Sequence, residues 1–455
     1  MKNLTETIEE GAKIVSDSVK KIFKYDYKSE MKKKLEKDIE DEKNDDSPRY
    51  QCETQTMSVN GYIELLKLNK YKKGINKCDI WFPGGYNKID DKLKNVKIIN
   101  SEQIFFAIPN CDNIVSKYNV WKTLNDYYGR EKSIEITPET FLMDQKDDIK
   151  LLKNVKDSKI ILKKKVQRKE GLKIMTNIDE LDKLTDDKDY LIAQKYMSPF
   201  LVKERKINLR VYIMLSLYKG KMIIYVNKYG SCIYTKDKYD EKSNDFEKNI
   251  TSYKMELGIY DDYPLTFEQF GTYLGENGYN YDKFMDKINH KISLFVTPMK
   301  KQLGDSKFFN NKCYQVFGLD FIVDENLEPY LLECNKGPEM KPKITQKTIP
   351  DKITDNISDS ISELKLLLEK GDNDDDVLKG IKKCYQDVYK GYPKNITYSE
   401  TLNKIEEFYK NEKPSKSYPK GYITGNGLKV QKDSLHLIGL IEENDNNGFI
   451  KITEL

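Results

Sequence analysis

Residues 315–335, QVFGLDFIVDENLEPYLLECN, contain two short apolar runs separated by Asp324, Glu325 and Asn326, a pattern that predicts a hairpin. On its second arm Glu333 and Asn335 stand two residues apart and so share one face of a strand, while the turn folds Asp320 back toward them. Two carboxylates and an amide oxygen suit magnesium, which takes few protein oxygens and completes its shell with water and phosphate. That set points to nucleotide chemistry. The competing reading leaves Asp320 and Glu333 as ordinary acids on the solvent face of an edge hairpin.

Two cations fit the same chemistry. Arg210 interrupts the apolar run NLRVYIML, and a guanidinium cannot shed its charge, so on an internal strand it needs an anion beside it. A transferred phosphate or an acyl phosphate would serve, and so would a structural ion pair, with Glu333 as a candidate partner. Lys163 follows Ile160, Ile161 and Leu162 and opens a basic stretch with Lys164, Lys165, Arg168, Lys169 and Lys173, against Glu170 alone. A lysine leaving an apolar strand for such a turn is placed to neutralise α- and β-phosphates. No GxxxxGK[ST] and no GxGxxG occurs, which excludes a P-loop and a dinucleotide fold, and no HRD with a following DFG occurs, which excludes an ordinary protein kinase.

The elements that must position these residues can be read from periodicity. KIILKKKVQRKEGLKI predicts two strands around a turn, and RVYIMLSLYKGKMIIYVN predicts a strand pair turning at Lys219, Gly220 and Lys221. Phe267, Phe270, Phe284, Ile288 and Ile292 are spaced for helices, with Gly271 and Gly275 expected to interrupt them. An imperfect stripe through Ile14, Val15, Val19, Ile22 and Phe23 predicts an N-terminal helix ahead of a charged linker. Beyond Pro350, Ile361, Leu364, Leu367 and Leu368 predict a helix ending at Gly371, with a second over 377–388.

With 455 residues, 38% of them hydrophobic, the chain should form two or three lobes. Lys and Arg number 78 against 74 Asp and Glu, and this balance gives no basic block that would call for nucleic acid. Seven cysteines without a CxxC argue against a disulfide scaffold and a thiolate zinc site, and two distant histidines, His290 and His436, argue against a histidine metal cluster. The N-terminus lacks a signal-peptide core and no run of 18 apolar residues occurs, so a cytoplasmic protein without a membrane span is expected. Heavy use of Lys, Asn, Asp, Ile and Tyr suits an AT-rich coding sequence, as in a protist or a large DNA virus.

In order along the chain, ITPETFLM, IILKKKVQRKEGL, IAQKYMSPFLV, RKINLRVYIML, NITS and VFGLDFIVDENLEPYLLECNKGPEM resemble the tubulin-tyrosine-ligase-like family of the ATP-grasp superfamily. The resemblance covers roughly residues 75 to 345. It implies an α+β, ATP-grasp fold whose mixed and antiparallel sheets clamp ATP between lobes. A helical and linker region (1–50) and a mixed domain (51–145) precede two ATP-grasp subdomains (146–245, and 246–345 with the metal-binding hairpin), and a helical and irregular accessory region (346–455) follows. It further implies ATP with Mg2+ or Mn2+, Lys163 on the α- and β-phosphates, and Gln194 and Lys195 at the adenine edge beside Tyr196 and Met197. Lys206 would face the phosphate end, Arg210 would hold the γ-phosphate and later the acyl phosphate, Thr251 would lie near the ribose, and Asp320, Glu333 and Asn335 would bind the metal.

Three departures stand out. Asn208 replaces the aspartate usual two residues before the arginine, which the resemblance implies would weaken or alter contact with the ribose of the cofactor while keeping a hydrogen-bonding side chain, and Ser252 replaces the asparagine common after the threonine. No arginine follows the strand pair in the family's G-x-x-R pattern, where GSCIYTK stands instead and Lys236 is the available substitute cation, though not a bidentate one. The implied activity is an ATP-dependent carboxylate–amine ligase that adds an amino acid to a protein or peptide through an acyl phosphate. The acidic tail of tubulin is the expected acceptor. Two alternatives remain open: a ligase for a small molecule or another polymer, and an inactive nucleotide-binding module.

Overall fold

The computed structural model describes residues 27–52, 57–86, 88–155, 158–164, 171–181, 189–251, 259–260, 262–338, 340, 343–344, 423–424, 427–441 and 447–455. The expected helices over the Ile14–Phe23 stripe, 361–371 and 377–388 lie outside them. The chain divides into two units. One comprises Met1–Asp46, Ile344–Lys404 and Lys420–Ile423, in which a helix over Tyr27–Lys43 is described. The other, Ser47–Lys343 with Ile405–Pro419 and Thr424–Leu455, carries every candidate site residue.

In that second unit the strands are β1 (Arg49–Cys52), β2 (Lys72–Lys73), β3 (Ile80–Phe82), β4 (Ile104–Phe105), β5 (Thr140–Leu142), β6 (Ile160–Lys164) and β7 (Leu172–Met175). There follow β8 (Tyr190–Lys195), β9 (Leu201–Val202), β10 (Arg205–Tyr218), β11 (Lys221–Asn227), β12 (Ser231–Tyr234), β13 (Cys313–Val323) and β14 (Pro329–Asn335). Four strands make a small sheet in the order β5–β8–β6–β7, antiparallel throughout. The large sheet runs β11–β10–β13–β4–β3–β1–β2, with β9 and β12 also on β10 and β14 on β13. Its pairings are antiparallel from β11 to β14 and parallel from β13 through β4 to β2, so the fold is α+β with mixed sheets, in keeping with an ATP-grasp-like arrangement.

β10 is the spine. Leu209, Val211, Ile213 and Leu215 fill one face, opposite Phe321, Leu319 and Phe317 of β13, while Lys206, Asn208, Arg210, Tyr212 and Met214 occupy the other. Both faces are largely buried, which is why the run reads as continuously apolar instead of alternating. Lys219 (φ 49°) and Gly220 (φ 75°) both take left-handed backbone, the two-residue turn that matches strand twist. Under the small sheet Phe141, Leu152, Ile160, Leu162, Met175 and Leu181 form a separate core.

The helix expectation needs a correction. Gly271 and Gly275 lie inside one helix, Phe267–Glu276, which starts at a capping box between Thr266 and Gln269. The break falls at Gly278 (φ 80°), ahead of the helix Tyr281–Val296. Gly271 is there for packing, since a Cβ would stand 3.1 Å from the Tyr281 ring.

The end of the chain joins the large sheet. Its last strand, Phe449–Glu454, pairs antiparallel with β11, and the helix Gly427–Leu437 packs on the helix Met57–Leu68. The strand thereby covers an edge that would otherwise expose unpaired backbone. Six cysteines among the described residues are buried thiols outside any disulfide, and no described helix is long and apolar enough to cross a membrane.

Candidate active site

A β-bulge sets the acidic residues. Phe321 pairs with Leu331, but the next step brings Asp320 opposite Glu333, so β14 gains one residue at Leu332. Without it Asp320 would face Leu332 and Glu333 would turn to the other side; a bulge re-aims a side chain in this way. Glu333, Asp320 and Arg210 then form one row across β14, β13 and β10, with Asn335 beside them opposite Gly318. Gly318 is needed for this row, because a Cβ would come within 2.8 Å of Pro338 and 3.2 Å of the Arg210 side chain.

Arg210 grips Asp320 through both ends of its fork, Nε to Oδ1 at 2.5 Å and Nη2 to Oδ2 at 2.9 Å. Its ionic partner is therefore Asp320, not Glu333 as sequence suggested, because the register places the aspartate directly opposite. Burial holds the Asp320 carboxyl above the usual aspartate range even against the guanidinium. Glu333 is met by Lys117, 2.9 Å away, from the first turn of the helix Lys117–Tyr128. Ser116, which caps that helix, holds φ 99°, a backbone region L residues rarely adopt. Asn335 donates to Asp320 over 3.4 Å, which leaves its own oxygen available.

Two further cations stand one on each sheet, Lys163 on β6 and Lys206 on β10. Lys163 donates to Gln194 Oε1 at 2.5 Å, and Gln194 in turn donates to Thr140 Oγ1 at 2.9 Å, all three buried on β6, β8 and β5. Lys206 lies over the Tyr196 ring, 4.5 Å from its centre, and Tyr196 donates its hydroxyl to Asn249 at 3.0 Å. Neither lysine has a carboxylate partner among the described residues. Burial pushes Lys163 down to about 7, with Lys117 adding to the shift, and pushes Lys206 down to about 7, helped by Lys163 and then Lys159. The same burial drives the Tyr196 phenol far up.

The structure thus brings together Lys163, Gln194, Tyr196, Lys206, Asn208, Arg210, Asp320, Glu333 and Asn335. Met197 is half-buried just past β8 and Thr251 is bridge-paired with Thr235. Lys195 points away, exposed on the face of β8 opposite Gln194, although its N–H donates to Glu139 O at 2.8 Å. Lys236 is exposed beyond β12. Sequence reading missed Lys117, which lies far from the hairpin in sequence and has no local signal of its own. It also missed Arg130, which stacks on Trp121 and Phe141 and binds Glu139, Asp148 and the Thr140 carbonyl beneath β5.

Asp320, Glu333 and Asn335 fit a magnesium ion as a hard-oxygen set that needs further ligands from phosphate and water. Among the described residues no group of three or more His, Cys, Asp or Glu could hold a metal ion.

A sequence profile of the tubulin-tyrosine ligase family matches residues 97–364, more than half of the chain. Among similar proteins, a tubulin monoglutamylase of Mus musculus is 24% identical over 277 residues, covering 55% of this chain and 22% of its own. A tubulin glycylase of Tetrahymena thermophila is 26% identical over 189 residues (39% and 18%), and a tubulin polyglutamylase of Caenorhabditis briggsae is 23% identical over 274 (55% and 44%). The chain spans less than half the length of each of these relatives. With the ordered motifs and the profile in agreement, the chain belongs to the tubulin-tyrosine ligase family.

Proposed function

We propose that the chain is an ATP-dependent ligase that activates a carboxylate of a protein or peptide as an acyl phosphate and joins it to an amine. The observation that carries this reading is the pair of buried lysines, Lys163 and Lys206, on the small and the large sheet, neither of them with a carboxylate partner among the described residues. A buried cation without a partner is costly, and the two carboxylates of the site are already met, Glu333 by Lys117 and Asp320 by Arg210, so that Lys163 and Lys206 are cations in excess of them. The excess suits an anionic polyphosphate bound with its metal. Relatives named as monoglutamylase, polyglutamylase and glycylase of tubulin support an acidic protein acceptor.

In the first step an acceptor carboxylate oxygen bonds the γ-phosphorus and the bond to ADP breaks. Lys163 and Lys206 hold the polyphosphate, and Arg210 meets the charge on the transferring group, a preorganised donor in a site shielded from water. Magnesium held by Asp320, Glu333 and Asn335 would offset charge on the phosphate oxygens. In the second step the amine nitrogen bonds the acyl carbon, phosphate leaves with the electron pair, and the amine proton passes to solvent.

Trapping with hydroxylamine tests this reading, since it converts an acyl phosphate to a stable hydroxamate whatever the natural amine. With ATP, magnesium and a glutamate-rich peptide, hydroxamate and ADP should form together. E333Q keeps the side chain's size but removes its charge and should abolish both. Full activity of E333Q, or equal binding of a nonhydrolysable ATP analogue with and without divalent metal, counts against the assignment. ATP binding without hydroxamate from any acceptor would favour the inactive binding module.

A further inference from the structure

Gln194 meets the buried Lys163 with one end of its amide, and which end that is follows from a chain of hydrogen bonds that starts on β5. In the small sheet Thr140 pairs with Gln194 and Gln194 with Ile161, so Lys163, two residues beyond Ile161, shares their face. Thr140 is 1% exposed, Gln194 5% and Lys163 7%, so these side chains depend on one another for their hydrogen bonds.

The polarity of that chain is fixed at its far end. A carbonyl oxygen can only accept, and the Thr140 hydroxyl donates its single proton to Pro138 O at 2.8 Å. Toward Gln194 the same hydroxyl can therefore only accept, and it does so from Nε2 at 2.9 Å. Oε1 is left at the other end of the amide, where Lys163 donates to it at 2.5 Å. Turning the amide over would set Nε2 against the ammonium and Oε1 against a hydroxyl whose proton is already engaged. Both hydrogen bonds of the amide would be lost, in a place where unmade bonds are costly.

The strand that carries the hydroxyl is itself pinned. β5 is an edge strand of three residues, with β8 as its neighbour in the sheet. Arg130 donates to Thr140 O at 3.2 Å and to Asp148 Oδ1 at 3.0 Å, and Asp148 Oδ2 accepts from the Leu142 N–H at 2.7 Å. β5 is thus held at Thr140 and again at Leu142. We infer that Thr140 is a positioning residue of the nucleotide site: its hydroxyl fixes the Gln194 amide so that an acceptor oxygen always meets Lys163. An ammonium has three donors, and Gln194 takes one of them, which sets the direction of the two that remain for an anionic polyphosphate. Thr140 acts through Gln194 and does not itself touch the nucleotide. The inference rests on the reading above in which Lys163 holds the polyphosphate.

The test is a double-mutant cycle on the full chain, read as the affinity of the magnesium-bound nonhydrolysable ATP analogue by calorimetry. T140V keeps the shape of the side chain but removes its hydroxyl, and should weaken binding by about tenfold, the scale of one misplaced hydrogen bond to a charged group. T140S restores the hydroxyl without the methyl and should bind nearly as the natural chain does. In a K163M background T140V should have no further effect, because Thr140 acts through that lysine. No loss from T140V, an equal loss with and without Lys163, or a T140S variant as weak as T140V overturns the inference. If K163M itself binds the analogue as tightly as the natural chain, the nucleotide site of the ligase reading falls too; a loss in K163M without coupling to Thr140 leaves that reading standing alone. Where a thermal melt shows T140V unfolded, T140A runs the same cycle, since it removes the hydroxyl without setting a methyl against Pro138 O and Gln194 Nε2.

Discussion

At the end of the chain Lys429 reaches Asp433 at 2.6 Å, with both side chains almost fully buried. Asp433 also accepts from the Gly448 N–H at 3.0 Å and from Asn227 at 3.5 Å, so its charge is met from several sides. Lys163 and Lys206 are about as deeply buried, yet amide oxygen and aromatic ring are the neighbours they have in place of carboxylate. The first arrangement is closed and ties the C-terminal helix to the end of β11. The second is open, and an open buried charge is tolerable where a ligand closes it.

The sharpest way to break this contrast is to remove one lysine from each place. K429M leaves Asp433 buried without its cation and should cost about 3–5 kcal/mol of stability, read from the midpoint of urea unfolding. K163M should leave stability unchanged or raise it, while weakening binding of the ATP analogue. If K163M destabilises the fold as much as K429M, the open and closed networks are not different in kind.

R210K comes next in size. Lysine keeps the charge but cannot form the fork that grips Asp320, so the group would no longer be fixed where charge develops. Turnover should fall by roughly 10² to 10³-fold, as when one preorganised donor is lost, while analogue affinity changes much less. A parallel loss in affinity would make Arg210 a nucleotide-binding residue only.

The two networks were unequally legible in the sequence. Asp320, Glu333 and Asn335 could be grouped because a hairpin and period-two alternation are local rules, and Lys163 and Arg210 because a cation inside an apolar run is conspicuous. The bulge at Leu332 has no such signature, although it determines which way Glu333 faces. Lys117 meets Glu333 across more than two hundred residues, a separation over which no periodicity acts. Gly271 was misread because a glycine spared for a neighbouring ring looks in sequence like one that ends a helix. The Lys429–Asp433 pair lies in a stretch whose polar residues look solvent-facing, and tertiary packing alone buries them.

The smallest expected effect is a titration that separates the open lysines from the rest. An unfolded-chain lysine loses its proton near ~10.4, whereas burial, reinforced by neighbouring lysines, brings Lys163 and Lys206 down to about 7. Below pH 7 both folded and unfolded chains hold these protons, and the folded chain bears the full penalty. Between pH 7 and the unfolded value the folded chain gives up protons that the unfolded chain keeps, so this contribution to stability rises with pH. Nucleotide binding has the opposite sign. A bound polyphosphate favours the charged lysines, so binding takes up protons, and affinity should fall as pH rises through 7. Between pH 7 and 8 the loss should be about fivefold for each lysine that must be charged, and K163M should remove one of the two. Calorimetric titration of the magnesium-bound analogue in buffers of different ionisation enthalpy would read proton uptake directly. Affinity that is flat or rising from pH 7 to 9, without uptake, would mean that the two lysines do not hold the polyphosphate.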